Sequence, residues 1–135
     1  MRKILVGIDG SDGSEHALNK ALMMIEEYGE LFLLAVIPSK DTHVFLDDHT
    51  HRSLEEKAEQ LLEQIIFDIG EQDFSLIPVI RAGNAAEVII DVANEVNAEL
   101  IVLGSKGTSS VVGHDLGSVS NRVVQYAHKP VMVVR

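Results

Sequence analysis

The chain contains no cysteine and no tryptophan, and only two Tyr, four Phe and three Pro among its 135 residues. Without cysteine, disulfides, thiolate metal sites and a Cys nucleophile are all excluded. No apolar run approaches the ~18 residues that a membrane-spanning helix requires. The opening Met-Arg-Lys-Ile-Leu-Val passes directly into a strand pattern and lacks the apolar core and small-residue cleavage site of a secretory signal. A soluble, cytoplasmic protein is expected. Positive charge is scarce as well: 11 basic residues against 21 acidic ones give a net charge of −10. A field of that sign repels nucleic-acid backbones and anionic lipid. No basic patch offsets it, so neither nucleic acid nor a membrane is expected as a partner.

What is abundant is aliphatic, and it comes in short runs separated by helical patterns. Lys3–Asp9 reads as a strand ending in a carboxylate, and Gly10-Ser-Asp-Gly13 as a turn. Asp12-Gly-Ser-Glu15 has the spacing of a capping box, in which a short acceptor and a later carboxylate satisfy free N–H groups at a helix start. The helix from about Gly13 to Tyr28 places Ala17, Ala21, Leu22 and Ile25 on one face, with Gly29 as its stop. Leu31–Ile37 is a second strand, closed by Pro38. Ser39–Arg52 has no clear period and holds three of the six His, so it reads as a loop. Ser53-Leu-Glu-Glu56 is a second capping box. It opens a helix with Leu54, Ala58, Leu61, Leu62, Ile65, Ile66 and Ile69 on one core stripe, ending at Gly70. Phe74–Ile80 is a third strand, in which Pro78 favours a sheet edge or strand end. Asn84-Ala-Ala-Glu87 caps a third helix with Ala85, Val88, Ile89, Val92 and Val96 inward. Ala98–Leu103 is a fourth strand and Val119–His128 a fourth helix, with Val119, Val123, Val124 and Ala127 inward. Pro130–Arg135 closes the series as a fifth strand.

Strands alternating with helices imply an α/β fold with a parallel sheet and right-handed crossovers, here as one domain over residues 1–135. Ligands of such sheets sit beyond the carboxyl ends of the strands, where the strand order reverses. Asp9 and Gly104 both lie at carboxyl ends. They need only be sheet neighbours for one crevice to hold both.

The most specific segment is Gly104-Ser-Lys-Gly107, followed after nine residues by Gly117-Ser118. Glycines let a backbone come close to a phosphate, and free N–H groups at a helix start attract anions. The spacing is neither the Walker pattern nor the Rossmann Gly-x-Gly-x-x-Gly. Gly-x2-Gly-x9-Gly-Ser resembles the nucleotide-binding signature of the universal stress protein family. The likeness extends along the chain: Ile-Leu-Val-Gly-Ile-Asp-Gly-Ser (4–11), Ala98–Gly104 and Lys129–Arg135 are similar to that family's opening strand, fourth strand and ending.

The resemblance implies a three-layer α/β/α sandwich with a five-stranded parallel sheet in the order 3-2-1-4-5, of the adenine nucleotide alpha hydrolase-like type. It also implies a site for ATP, or for AMP or ADP. Gly107, Gly117 and Ser118 match positions lining the phosphate loop, with Gly104 at its mouth. Backbone N–H groups around Gly117–Val119, the Ser118 hydroxyl and Ser120 match phosphate contacts, and Lys106 is the cation within the loop. Asp9 matches a residue near the nucleoside, and Val36 one whose backbone reads the adenine edge. Any Mg or Mn is expected to be held through the nucleotide phosphates. A homodimer through Pro130–Arg135 is implied too, in keeping with a short apolar strand at a sheet edge.

Plainer readings stand beside these. Asp9 has the position of a turn-capping Asp accepting from the amides of Gly10–Asp12, and Lys106 that of a solvated loop residue. His43, Asp47, Asp48, His49 and His51 could cluster around a metal, but they lack the i, i+4 spacing that builds such a site on a helix. No Lys or Arg lies between Thr108 and Leu116, so at most slow ATP hydrolysis is expected. The expected function is a nucleotide-dependent molecular switch in stress response. The alternatives are a nucleotide-free dimeric interaction protein and a weak ATPase or phosphotransferase.

Overall fold

The aliphatic runs pair into a sheet because the central ones are buried on both faces, which leaves backbone hydrogen bonding to neighbouring strands as the way to satisfy their N–H and C=O groups. A computed structural model describes residues 1–39, 47–105 and 117–135. In chain order the elements are β1 (Lys3–Gly7), α1 (Asp12–Met24), β2 (Glu30–Ile37), α2 (Asp48–Ile69), β3 (Ser75–Ala82), α3 (Ala85–Glu95), β4 (Leu100–Gly104), α4 (Ser118–Tyr126) and β5 (Val131–Val134). The five strands of the described residues form one sheet in the order β3-β2-β1-β4-β5, and every pairing is parallel. The expected sandwich and strand order are therefore present.

Alternation along β2 divides the core. Leu31, Leu33, Ala35 and Ile37 pack with Ile4, Val6 and Ile8 against α1 and α2, through Ala17, Leu18, Ala21, Ala58 and Leu62. Phe32 and Leu34 point the other way, joining Leu5, Ile101 and Leu103 beneath α3 and α4. Each fully buried Leu or Ile contributes ~1.5–3 kcal/mol relative to exposure. Shifting any strand by one residue would exchange the two faces and forfeit that burial. Pro78 pairs opposite Leu33 on β3, which is an edge strand as its missing N–H demands.

Several boundaries differ from those read in the sequence. The strand β1 ends at Gly7, although Ile8 still donates to the Leu34 carbonyl at 2.8 Å, so Asp9 lies just past the ladder. Ser11, not Asp12, caps α1: its hydroxyl accepts from the Ser14 N–H at 3.2 Å. That helix stops at Met24 rather than Tyr28. The helix α2 begins at Asp48, five residues before the Ser53 box, because Asp47 accepts from the Thr50 N–H at 2.7 Å. His51 then turns inward and is buried. In α4 the inward face is Ser120, Val123 and Ala127, while Val119 and Val124 are 36% and 47% exposed. A hydroxyl takes the inner position there because it can donate to the Gly117 carbonyl.

Candidate functional site

The strand order reverses between β1 and β4. From β1 the chain winds outward through β2 to β3, then crosses back to β4 and on to β5. β1 and β4 are hydrogen-bonded neighbours, with Ile4, Leu5 and Val6 opposite Leu100, Ile101 and Val102. Their carboxyl ends, and the segments that leave them, frame the crevice at which such folds take ligands.

On the β1 side Asp9 is exposed, and its Oδ1 accepts from both the backbone N–H, at 2.9 Å, and the hydroxyl of Ser11. The Asp9 N–H donates to the Ser14 hydroxyl at 3.3 Å, and that hydroxyl donates to the Ser11 carbonyl at 3.1 Å. One carboxylate oxygen is thus occupied by the turn, while Oδ2 makes no bond among the described residues. The turn-capping role is real, and it fixes the carboxylate's orientation without closing it off. Ser11 and Ser14, which organise this turn, were not singled out in the sequence. Their signal was the Ser-x-x-Ser spacing, concealed by the stronger Asp12–Glu15 pattern.

Val36 stands one strand away. The β1–β2 register pairs Gly7 with Leu34, so two residues further on Asp9 and Val36 come level. Val36 is half-buried on the α3 and α4 side, with its backbone at the rim of the crevice.

On the β4 side a Cβ on Gly104 would stand 2.5 Å from the Gly13 carbonyl carbon and 2.6 Å from its oxygen. Gly104 is therefore the point where β4 meets the backbone of α1. Beyond it, the Ser105 N–H donates to the Val134 carbonyl at 2.8 Å, and the Ser105 carbonyl accepts the Gly117 N–H. The two ends of the glycine segment are thereby joined. Lys106 and Gly107 lie outside the described residues.

Gly117 is the N-cap of α4, with φ −58° and no side-chain cap. The other three described helices are each capped by a side chain: Ser11, Asp47 and Asn84 accept from Ser14, Thr50 and Glu87. The first N–H groups of a helix, in α4 those of Ser118, Val119 and Ser120, have no intrahelical partner. With the helix dipole they make this end of α4 attractive to an anion. Ser118 is exposed. Ser120 is only 3% exposed, and its hydroxyl donates to the Gly117 carbonyl at 3.1 Å. Its hydroxyl proton is therefore engaged within the helix turn.

The arrangement can hold an anion at α4 and a hydroxyl or amine at Asp9. Asp47, Asp48, His49 and His51 form the first turn of α2, where His51 Nδ1 lies 3.8 Å from the Glu55 carboxylate. His43 lies outside the described residues. Among the described residues no group of three or more His, Asp or Glu gathers to hold a metal ion. None of their helices is long and apolar enough to cross a membrane.

Comparison with known proteins gives a consistent result. The model of the universal stress protein family matches residues 1–135. Universal stress protein YxiE of Bacillus subtilis is 32% identical over 145 residues, covering 98% of this chain and 98% of its own. Universal stress protein UspA from Lactobacillus plantarum superposes with a TM-score of 0.83 at 28% identity, over 98% of this chain and 96% of that one. Two further structures share the fold. One is a universal stress protein in complex with cAMP, at 24% identity and TM-score 0.70 over 98% of this chain and 95% of that one. The other, from Arabidopsis thaliana with AMP bound, is 19% identical with TM-score 0.68 over 99% and 91%. Matched over its whole length, the chain belongs to the universal stress protein family.

Proposed function

We propose that this protein binds an adenine nucleotide, ATP in the first instance, and acts as a nucleotide-dependent switch in a cytoplasmic stress response. The observation that carries the reading is the N-terminus of α4, whose N-cap Gly117 offers no capping side chain and which stands across the β1–β4 junction from the oriented carboxylate of Asp9. The N–H groups of Ser118, Val119 and Ser120 would take phosphate oxygens, joined by the Ser118 hydroxyl. Gly104 and Gly117 set the backbone path, with Lys106 and Gly107 completing the phosphate loop. Asp9 would accept from a ribose hydroxyl through its unused oxygen, and the Val36 backbone would meet the adenine edge. A Mg or Mn ion would ride on the phosphates.

The fold itself accommodates adenine nucleotides in the relatives solved with cAMP and AMP; those ligands belong to those proteins. The reading extends to residues 1–135 as a single functional domain that pairs with a second copy through β5 and its flanks, Pro130–Arg135. With Asp9 Oδ1 held by Ser11 and no group of three or more His, Asp or Glu gathered among the described residues, the site favours holding a nucleotide over hydrolysing it. Titration calorimetry with ATP, ADP and AMP tests the proposal. Saturable binding at micromolar concentration, lost in Gly117→Val, is expected. Native mass spectrometry of the purified protein identifies what it carries. No binding of any adenine nucleotide at millimolar concentration would overturn the reading.

A further inference from the structure

The phosphate-loop segment carries a single basic residue, Lys106, yet a triphosphate brings several negative charges into a protein of net charge −10. The register of β4 and β5 supplies a second cation that lies far from the glycine segment in sequence. Gly104 pairs with Val134, and the Ser105 N–H donates to the Val134 carbonyl, so the next residue, Arg135, comes opposite Ser105. Ser105 is the residue to which Gly117 is bonded. Neighbouring strands lie about 4.8 Å apart, so Arg135 stands beside the junction where α4 begins.

Side-chain alternation sets its face. Met132 and Val134 pack toward α1 and α2, whereas Val131 packs toward α3 and α4. Continuing the alternation puts Arg135 on the α4 side. It is exposed, and among the described residues it has no ion pair or hydrogen bond. Other strand-end cations are elsewhere or engaged. Arg81 pairs with Glu95 at 3.6 Å, and Lys129 donates to Asn97 at 2.6 Å from the opposite end of β5.

We infer that Arg135 is a specificity-determining residue that binds the outer phosphates, so that this protein favours nucleoside triphosphates over monophosphates. The inference rests on the nucleotide-binding reading above and adds to it a preference for phosphate number. Distance supports the preference. Val36 on β2 and Arg135 on β5 are separated by three strand intervals, about 14 Å. With the base held at Val36, each added phosphate carries the ligand's charge further across the sheet toward Arg135. A guanidinium suits the far end because its fork of donors matches two phosphate oxygens at once.

The test is calorimetric titration of ATP, ADP and AMP, at one fixed salt concentration, into the wild type, Arg135→Gln, Arg135→Lys and Arg2→Gln. Arg2 is exposed near the amino end of β1, so its variant makes the same charge change at the opposite end of the parallel strands. Thermal unfolding checks that each variant keeps its fold. Arg135→Gln should weaken ATP about tenfold or more and AMP less than twofold. Arg135→Lys should fall between, and Arg2→Gln should leave all three ligands unchanged. An ATP loss in Arg135→Gln no greater than in Arg2→Gln overturns the inference alone. So does an equal loss for ATP and AMP. A wild type that binds none of the three overturns the nucleotide reading, and this inference with it.

Discussion

Gly104 and Gly13 touch backbone to backbone: a methyl on Gly104 would lie 2.5 Å from the Gly13 carbonyl carbon, closer than real Cβ atoms approach anything. The neighbour is main chain at the start of α1, so it has no rotamer through which to yield. Gly104→Ala should therefore force α1 away from β4 and destabilise the protein by ~1–3 kcal/mol, as overpacking does. Urea unfolding measures this, and an unchanged midpoint would show that the two elements can part freely.

Gly117 presents the opposite case. Its φ of −58° suits any residue, and it leaves α4 without a side-chain cap. In Gly117→Asp the new carboxylate should accept the N–H groups that otherwise await a ligand. The unliganded fold should gain a few tenths of a kcal/mol, the usual margin of Asp over Gly at an N-cap. ATP binding should be lost, because the carboxylate occupies the anion position and repels phosphate. Retained ATP affinity in a folded variant would mean that α4 does not bind the phosphates.

Asp47 links pH to the start of α2. The Thr50 N–H bonded to its carboxylate holds its pKa below the ordinary 3.8. The folded value is the lower one, so the cap's contribution is complete above the unfolded carboxylate's pKa. It is lost as pH falls through the folded value. The urea midpoints of wild type and Asp47→Ala should differ at neutral pH and converge as the solution is acidified below 3.8. A difference that persists in acid would assign the cap to something other than the carboxylate.

The two sheet edges are unequal. β3 carries Pro78, which interrupts any row of donors, whereas β5 runs Val131-Met-Val-Val134 with every residue half-buried. Unprotected apolar edges invite a second strand. Val133 belongs to neither core cluster, so Val133→Lys should leave the fold intact. Light scattering should show the wild type as a dimer at micromolar concentration and the variant as a monomer. A wild-type monomer would exclude pairing through β5.

The order of elements was legible because both faces of the central strands β1, β2 and β4 are buried, which writes unbroken aliphatic runs into the sequence. The helix boundaries were less so. Ser53-Leu-Glu-Glu56 has the right spacing for a cap, yet Asp47 caps α2 earlier, in a His-rich stretch whose apolar period begins only after His51 folds inward. Periodicity also put Val119 and Val124 in the core and missed Ser120, whose burial depends on a hydrogen bond that hydrophobicity cannot register. At the site, Asp9, Gly104 and Gly117 announced themselves as punctuation at the ends of strands and the start of a helix. The adjacency of Asp9 and Gly104 required the β1–β4 pairing, and that of Arg135 and Ser105 the β4–β5 register. Neither is encoded locally.

Ser105 receives the sheet with its N–H and returns the chain to α4 with its carbonyl. The chain that leaves the sheet at Ser105 therefore returns to the described fold at Gly117, one hydrogen bond away. Doubling the length of such a loop costs only ~0.6 kcal/mol in closure entropy. With its ends already joined, lengthening this connection costs little in closure entropy. Selection on ligand handling can then act on that stretch while the architecture beneath it stays fixed.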